Sequence, residues 1–425
     1  MTRTKEAPSY QPITIPSIPT AEKVVLRNGT PCYTLNIGEQ EVIRMECLFP
    51  ANSWIDPHPL MTFFAVKMLL EGTGTRSSAQ INNTLDRYGA FTEVVHTADY
   101  YGITVYTMPK FLPEILPVIA DILENASFPE ADWLKLLNIS RQQLRVNQEQ
   151  NSWLANAKFK AALYGGESRY GYSQNEKDLD QIQRETVQNF YKDHIQKASL
   201  FIFLSGKVSE QTIDLVESHL GTRMTQSSTS IPAVSPPDTT HQKREFYQIE
   251  RPDSSQLTLR MGARVIGRKH PHYFKLLVTN EILGGYFGSR LMTNIREEKG
   301  LTYGISSHLS NLKESTHFVI GTDVKKDAHP ELMEEIHKEI KSLQTEKVDP
   351  DELERVKNIM AGEFARSLST AFEISDLHQS IVLNDLPGDF YDNYLDRIRA
   401  VTADDIMYIA NEMLQVDQMI EVVVG

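Results

Sequence analysis

Residues 221–244 differ in composition from the sequence on either side of them. Serine and threonine dominate this stretch, prolines recur, and large apolar residues are few. Such a composition is typical of a linker between domains. We therefore predict an irregular N-terminal arm over residues 1–20, a first domain over 21–220, the linker itself, and a second domain over 245–425.

The two halves that the linker separates repeat one another, and this repetition constrains the fold. Each half ends in an apolar run closed by glycine, at Leu200–Gly206 and at Met419–Gly425. Each also contains a helix start marked by proline, at Pro129 and at Pro350. Strand-like alternation and helix-like periodicity follow one another in both halves. We predict an α+β fold of two homologous domains, about 200 residues each, in which a sheet is packed with helices.

Composition narrows the possible functions. The 40% hydrophobic and 23% charged residues are ordinary for a globular protein. The net charge of −13 and the lack of a basic stripe argue against nucleic acid as a partner. No apolar run has the length of a membrane span or a signal peptide, so we predict a cytoplasmic location, with a cleaved leader outside this sequence left open. Cys32 and Cys47 lie in strand-like runs and are predicted to be buried free thiols.

One stretch of the second half carries residues suited to chemistry. Gly284 and Gly285 allow a tight turn or a close approach, and a short helix follows that is predicted to end at Gly300. Arg296 lies near the end of this helix and Tyr303 near the start of the next strand. A guanidinium and a phenol placed together suit a peptide carbonyl or a developing oxyanion. A solvated helix face and a half-buried sheet position are the simpler interpretations of these two residues.

The stretch from Asn280 to Tyr303 resembles the C-terminal-domain signature of the pitrilysin, insulinase and mitochondrial processing peptidase family, the inverzincins. The resemblance covers nearly the whole chain after the N-terminal arm. It implies a processing-peptidase-like metallohydrolase fold with mainly antiparallel sheets. It also implies that Arg296 and Tyr303 grip the main chain of a peptide substrate. The glycine turn at Gly284 and Gly285 would then contact the linker or a partner during closure.

In the first half, the resemblance indicates where active members carry a zinc site. Leu69–Thr73 matches the stretch just after the family's His-x-x-Glu-His motif. Carried over without a gap, the motif positions are Phe63, Val66 and Lys67, and the third ligand's position is Gln143. Phenylalanine has no donor lone pair, valine cannot act as a base, and protonated lysine repels a cation. We therefore predict that this chain has no metal site, no bound cofactor and no catalytic residue of its own.

Replacement ligands are scarce. A slip of one position in the alignment would replace Gln143 by Gln142, which is again a glutamine. His270 and His272 are the closest histidine pair, but they lie in a predicted loop without a third ligand. Two interpretations of Lys67 stay open. Its stem extends to solvent, or its ammonium fills the vestigial metal position and pairs with a nearby acid.

The strand Phe91–His96 resembles the sheet-edge strand of the family, which adds a peptide strand by main-chain pairing. The candidate substrate-binding residues on it are Phe91, Thr92, Glu93, Val94 and His96. His96 has an alternative, purely structural interpretation as a sheet histidine.

The resemblance implies a zinc-free, substrate-binding or regulatory subunit of a heterodimeric zinc metallopeptidase. A homologous partner carrying His-x-x-Glu-His would supply the zinc, and the two chains would close around a peptide substrate. This chain would then be inactive alone. The alternatives are a structural protein, like the non-catalytic core subunits of respiratory complexes that share the fold, and a homodimer that binds peptides without cutting them.

Overall fold

The computed structural model describes residues 13, 17–51, 58–224 and 244–425. Most of the predicted arm, and the predicted linker between residues 225 and 243, lie outside these ranges. The predicted α+β fold class is confirmed, because the chain forms two sheets, each packed with helices. The exact domain boundaries stay predictions.

The first half builds one sheet and eight α-helices within its described residues. The strands are β1 (Glu22–Val25), β2 (Pro31–Asn36), β3 (Ile43–Pro50), β4 (Phe91–His96), β5 (Tyr100–Thr107) and β6 (Phe201–Gly206). The helices are α1 (Pro59–Leu69), α2 (Ser78–Arg87), α3 (Leu112–Asn125), α4 (Glu130–Gln148), α5 (Asn151–Tyr164), α6 (Glu176–Gln181), α7 (Arg184–Tyr191) and α8 (Glu210–Leu220). The strand order is β1-β2-β6-β3-β5-β4, with β2 and β6 parallel and the other pairs antiparallel.

The second half builds a five-stranded sheet in the same manner. Its strands are β7 (Glu245–Ile249), β8 (Gln256–Val265), β9 (Thr302–Asn311), β10 (Thr316–Lys325) and β11 (Ile420–Val424). Its helices are α9 (Tyr273–Asn280), α10 (His329–Thr345), α11 (Pro350–Arg366), α12 (Ala371–Leu383), α13 (Tyr394–Arg399) and α14 (Ala403–Met413). The strand order is β7-β11-β8-β10-β9, and the β7–β11 pair is parallel.

The strand orders reveal the duplication. In the first half the last strand, β6, is inserted between β2 and β3, and in the second half β11 is inserted between β7 and β8. The antiparallel pair β4–β5 corresponds to the pair β9–β10. Strands β4 and β9 are therefore equivalent, and both form an edge of their sheet.

Each sheet is covered on one face by a helix from the opposite half. Helix α5 packs on β8 and β11, where Phe159 and Leu163 join a cluster with Val422. Helix α12 packs on β2 and β6, where Leu383 joins a cluster with Phe203. Because the apolar surface of each sheet is buried by the other half, the two halves form one packed unit.

A buried ion pair of the first half, near the turn between β4 and β5, is hydrogen-bonded to the second half. Asp99 Oδ1 accepts hydrogen bonds from Arg169 Nη2 at 2.9 Å and from the Tyr170 hydroxyl at 2.6 Å. Asp99 Oδ2 accepts a further hydrogen bond from the backbone nitrogen of Lys313, in the second half, at 2.9 Å. The charge of this carboxylate is thus satisfied from both halves, as a buried charge requires.

Helix α1 is mostly buried. Its sequence is apolar nearly all round, as is typical of a buried helix. Most of its side chains are indeed buried, but Phe63 is half-buried and Lys67 is exposed. These two residues are four apart, so they lie on one stripe of the helix that faces outward.

Both cysteines behave as predicted. Cys32 and Cys47 are buried and free, and burial raises the pKa of each thiol to about 12. Thiols of this kind are unreactive toward metals and oxidants at neutral pH.

Candidate functional site

The glycine signature, which begins at Gly284 and Gly285, lies directly against strand β9. Gly284 and Gly285 end a π-helical segment, Glu281–Gly285, that continues α9. A Cβ atom on Gly284 would lie 2.6 Å from both the backbone nitrogen and Oγ of Ser307, so only glycine allows this approach to β9. A Cβ atom on Gly285 would collide with the carboxyl group of Glu281. The close approach that the sequence predicts is therefore made to the neighbouring strand, and the backbone here is helical rather than an open turn.

Glu281 is a residue that sequence reasoning missed. Its side chain is buried, and its Oε1 atom has no hydrogen-bond partner in the described part of the chain. Burial, and then the charge of Glu363, raise the pKa of Glu281 to about 7. The carboxyl group therefore changes protonation state near neutral pH, next to the glycine signature.

Polar side chains fix the helical segment that follows the glycines. Arg290 donates a two-pronged pair of hydrogen bonds to the carboxylate of Glu352, at 2.9 and 2.7 Å. Asn294 Nδ2 donates to Glu335 at 2.9 Å, and the ammonium of Lys299 lies 2.9 Å from the same carboxylate. Hydrogen bonds from Asn294 and Lys299 lower the pKa of Glu335 to about 2. The segment is thus anchored to α10 and α11 on both sides of Arg296.

Arg296 itself takes no part in this anchoring. It lies in the π-helical segment Met292–Glu298, and 34% of its side chain is exposed. Its guanidinium lies 4.8 Å from the ring centroid of Phe287, a cation–π contact. The Glu297 carboxylate lies 3.8 Å away, at the limit of an ion pair. Phe287 is 65% exposed, so the stacked pair faces solvent.

Tyr303 is more exposed to solvent than Arg296. The predicted helix end at Gly300 is confirmed, since this residue has a φ of 64° in the left-handed region that favours glycine. The backbone nitrogen of Leu301 donates to the carbonyl of Ile295 at 3.0 Å and closes the turn. Tyr303 follows at the start of β9 with 93% of its surface exposed, and its hydroxyl has no hydrogen-bond partner within the described ranges.

The geometry of this surface suits main-chain recognition. Strand β9 is an edge strand, and an edge offers unpaired backbone donors and acceptors. Beside it lie the five N–H donors of Arg296 and the hydroxyl of Tyr303. Carbonyl oxygens of an extended peptide are the natural acceptors for such donors.

In the first half, the carried-over zinc positions hold a different arrangement. The rings of Phe63 and His96 meet edge to face, with centroids 5.6 Å apart. His96 Nε2 lies 2.8 Å from Thr62 Oγ1 and 3.1 Å from the carbonyl oxygen of Pro59. Burial, and to a lesser extent the charge of Lys67, lower the pKa of His96. His96 therefore ties β4 to α1, as its structural interpretation requires.

Lys67 does not form the ion pair that its second interpretation requires. It is exposed, and no carboxylate lies within ion-pair distance of it in the described part of the chain. Among the described residues, the exposed ammonium fits the first interpretation, in which the stem of Lys67 extends to solvent. Val66, at the position of the family's catalytic base, is fully buried.

The third carried-over position lies on helix α4. Gln143 and Gln142 are exposed on α4, and Gln143 Nε2 donates to Asn147 Oδ1 within the same helix at 2.9 Å. His270 and His272 lie in the loop before α9 with ring centroids 5.3 Å apart. Across the residues that the structure describes, no group of three histidine, cysteine or acidic side chains is placed to hold a metal ion.

The predicted edge strand has the predicted bounds. Strand β4 spans Phe91–His96, pairs with β5 alone, and leaves its other edge free. Phe91 is 59% exposed and Glu93 is exposed, while Thr92, Val94 and His96 are half-buried. No hydrogen bond, ion pair or ring contact between described residues joins this strand to Arg296 or Tyr303.

Comparison with known families identifies what the signature belongs to. Residues 181–360, which include the whole stretch from Gly284 to Tyr303, match the family described as the peptidase M16 inactive domain. An uncharacterized zinc protease of Rickettsia felis is 25% identical over 407 residues, which cover 91% of this chain and 93% of that protein. The uncharacterized zinc protease YmxG of Bacillus subtilis is 23% identical over 73% of this chain and 75% of its own length.

This chain is a homologue of the M16 peptidases. The family resemblance inferred from the sequence is thus confirmed. The matching family is described as an inactive domain, and the match covers residues 181–360.

Solved structures show the same fold. An M16 inactive-domain protein from Pseudomonas fluorescens superimposes with a TM-score of 0.85 at 20% identity, over 95% of this chain and 98% of that one. A protease from Helicobacter pylori gives a TM-score of 0.86 at 16% identity, over 96% of this chain and all of that one. At this level of identity the likeness concerns the fold alone.

Two features of this M16 homologue lay beyond sequence reasoning. Phe287 was part of the glycine signature, but only the structure shows its ring beneath Arg296. Its signal was a large aromatic residue within a glycine turn, where burial is difficult. The sequence does not indicate a functional role for Glu281, because its sequence neighbours do not reveal that one of its carboxyl oxygens lacks a hydrogen-bond partner. Separately, no described helix has both the length and the apolar character needed to cross a bilayer.

Proposed function

We propose that this M16 homologue is the zinc-free, substrate-binding subunit of a two-subunit peptidase. The observation that carries the proposal is the exposure of Arg296 and Tyr303 beside the edge strand β9. A partner chain with His-x-x-Glu-His would hold the zinc and the activated water. The proposal includes a cytoplasmic complex and the absence of a cofactor in this chain.

Each residue has a stated role in this proposal. Arg296, oriented by its stacking on Phe287, would donate to substrate carbonyl oxygens. Tyr303 would donate a further hydrogen bond from its hydroxyl. The turn at Gly284 and Gly285 would set the position of both residues against β9 during closure. Strand β4, with residues 91–96, would pair with the peptide main chain in the equivalent position of the first half.

A second candidate is a protein that binds peptides without cutting them, as a homodimer or as a structural subunit. The match to an inactive domain favours it, since such a protein needs no zinc. The two candidates share the surface of Arg296 and Tyr303 but differ in whether a partner brings turnover.

The first test measures peptidase activity on a mixed fluorogenic peptide library. The chain is assayed alone and together with the homologous His-x-x-Glu-His protein of the same organism, and bound zinc is measured in each sample. We expect turnover and zinc only in the mixture. Turnover with stoichiometric zinc in this chain alone would contradict the proposal, and binding without turnover in both samples would support the second candidate.

The second test uses Arg296→Ala in the active mixture. Losing a charged hydrogen bond to substrate should lower kcat/KM by roughly 10-fold to 100-fold, with assembly unchanged by size-exclusion chromatography. Tyr303→Phe should give a smaller loss. The matched control is Arg366→Ala, an exposed arginine at the end of α11 without an ion pair among the described residues. Unchanged turnover in Arg296→Ala would show that the assigned role is wrong.

A further inference from the structure

A cavity lies in the C-terminal half, away from the glycine signature. It is a cavity of about 820 Å³, bounded by the loop before α9, by α9 itself, and by the chain from α12 to α14. A volume of this size holds a small organic molecule or the end of a peptide. None of the residues assigned to substrate binding above lines it.

The floor of this cavity is apolar and well packed. Four buried side chains form it, with exposed fractions between 2% and 8%: Phe274, Leu386, Phe390 and Val401. The rings of Phe274 and Phe390 lie 5.4 Å apart. Such a floor binds an apolar body by removing its surface from water.

The wall of the cavity has more cationic side chains than acidic ones. Lys275 pairs with Asp405 at 2.7 Å, and Lys269 lies 3.9 Å from Asp385. The remaining cationic side chains of the wall, Arg268 and Arg397, have no carboxylate within ion-pair distance in the described part of the chain. This excess occurs on a chain whose net charge is −13.

The guanidinium groups of Arg268 and Arg397, which have no carboxylate partner among the described residues, are oriented by neutral neighbours. The guanidinium of Arg397 lies 5.2 Å from the ring centroid of Phe274 and 5.8 Å from that of Phe390. Arg268 Nη1 donates to Ser380 Oγ at 2.7 Å. A guanidinium that is already oriented loses less freedom when it binds, and its planar fork matches a carboxylate.

We infer that this cavity binds a carboxylate joined to an apolar body. The apolar part would lie on Phe274 and Phe390, and the carboxylate would accept hydrogen bonds from Arg397 and Arg268. Two sources offer this chemistry, a free organic acid and the C-terminal residue of a peptide. The inference does not depend on the proposed peptidase role, since no residue is shared between the two surfaces.

The test measures binding of 4-phenylbutyrate to the full chain by saturation-transfer NMR and isothermal titration. We expect saturable binding that weakens as salt is added, because the attraction is partly between charges. The neutral isostere 4-phenylbutyramide is the ligand control and should bind at least about 10-fold more weakly, as expected for the loss of a charged hydrogen bond. Equal binding of acid and amide, or no saturable binding of the acid, would overturn the inference.

The decisive variant is Arg397→Met, which keeps an unbranched stem against the rings while removing the charge. It should weaken phenylbutyrate binding by about 10-fold or more. Arg268→Met is the second variant, in case the first alters folding, which thermal unfolding would reveal. Arg366→Met is the matched control and should bind as the parent does. If both cavity variants fold and bind normally, the assignment is wrong.

A last comparison separates the two sources. N-acetyl-Ala-Phe with a free C-terminus is compared with its C-terminal amide and with phenylbutyrate. Tighter binding of the free-acid peptide than of phenylbutyrate supports a peptide C-terminus as ligand. Tighter binding of phenylbutyrate supports a free acid.

Discussion

Two buried carboxyl groups lie beside the turns that follow α1 and α9, the equivalent helices of the two halves, and their surroundings differ. Asp121 on α3 accepts hydrogen bonds from Thr73 at 2.7 Å, from Thr75 at 2.8 Å and from Arg76 at 2.5 Å. Although burial alone would raise it, these bonds lower the pKa of Asp121. Glu281 has one carboxyl oxygen without a partner, and burial raises its pKa to about 7.

The two settings indicate different roles for the two carboxyl groups, a structural role for Asp121 and a link to function for Glu281. In the first half, Asp121 holds the loop after α1 through its hydrogen bonds to Thr73, Thr75 and Arg76, so that network serves the fold. In the second half, Arg296 is partly exposed and Tyr303 is fully exposed, and the turn beside them contains a carboxyl group in an unfavourable setting. Unfavourable buried groups are more common at functional sites than elsewhere.

The largest expected effect comes from Asp121→Asn. The amide cannot accept all the hydrogen bonds of the carboxylate and leaves Arg76 without its partner. We expect a loss of about 2–4 kcal/mol in the free energy of unfolding at pH 7, measured by urea denaturation. Asp180→Asn, which removes an exposed ion pair with Arg141, is the control and should cost less than about 1 kcal/mol. Equal losses in the two variants would contradict the role of the network.

The second effect has the opposite sign and depends on pH. The raised pKa of Glu281 means that its neutral form is favoured in the folded state, so its contribution is complete below pH 4.5 and is lost as the pH rises through about 7. Glu281→Gln, neutral at every pH, should therefore stabilise the protein at pH 8 by up to about 3 kcal/mol. The difference should vanish near pH 4.

Urea denaturation of the Glu281→Gln protein at a series of pH values tests this. Glu363→Gln is the matched variant, because the charge of Glu363 helps to raise the pKa of Glu281. In the Glu363→Gln protein the free energy of unfolding should still depend on pH, with the midpoint of that dependence at a lower pH. A constant difference between parent and Glu281→Gln across the whole pH range would show that Glu281 is not the titrating group.

The smallest effect concerns Lys67. Because this residue is exposed and unpaired among the described residues, Lys67→Met should change the free energy of unfolding by less than about 0.5 kcal/mol. The charge of Lys67 lowers the pKa of His96, so the variant should raise that pKa, as followed by NMR titration of the imidazole. Lys299→Met, which breaks a contact with the buried carboxylate of Glu335, should cost more. A large loss in Lys67→Met would revive a structural role for its ammonium.

Local patterns predicted the parts of the fold that local chemistry determines. Strand β4 was predicted with its observed bounds, Phe91–His96. Asn28 and Gly29 are a hairpin signal between β1 and β2, and Gly29 has the left-handed φ of 83° that such a turn needs. The helix end at Gly300 was predicted for the same reason.

Long-range packing was not predictable in this way. The π-helical segments 281–285 and 292–298 have no periodic signature distinct from an α-helix. The sequence therefore predicts only a turn at Gly284 and Gly285 and a short helix after it. Helices α12 to α14 were not predicted, although Thr402 with Asp405 forms a capping box that could have revealed the last of them. The exposure of Lys67 depends on what packs around α1, which no local pattern encodes.

The exchange of α5 and α12 between the halves bears on how such a chain can be taken apart. Each half contributes a cover for the other's sheet, so a fragment ending at residue 224 and a fragment beginning at residue 244 would each expose a bare apolar sheet face. Such fragments would behave as complementing pieces that gain order only when mixed.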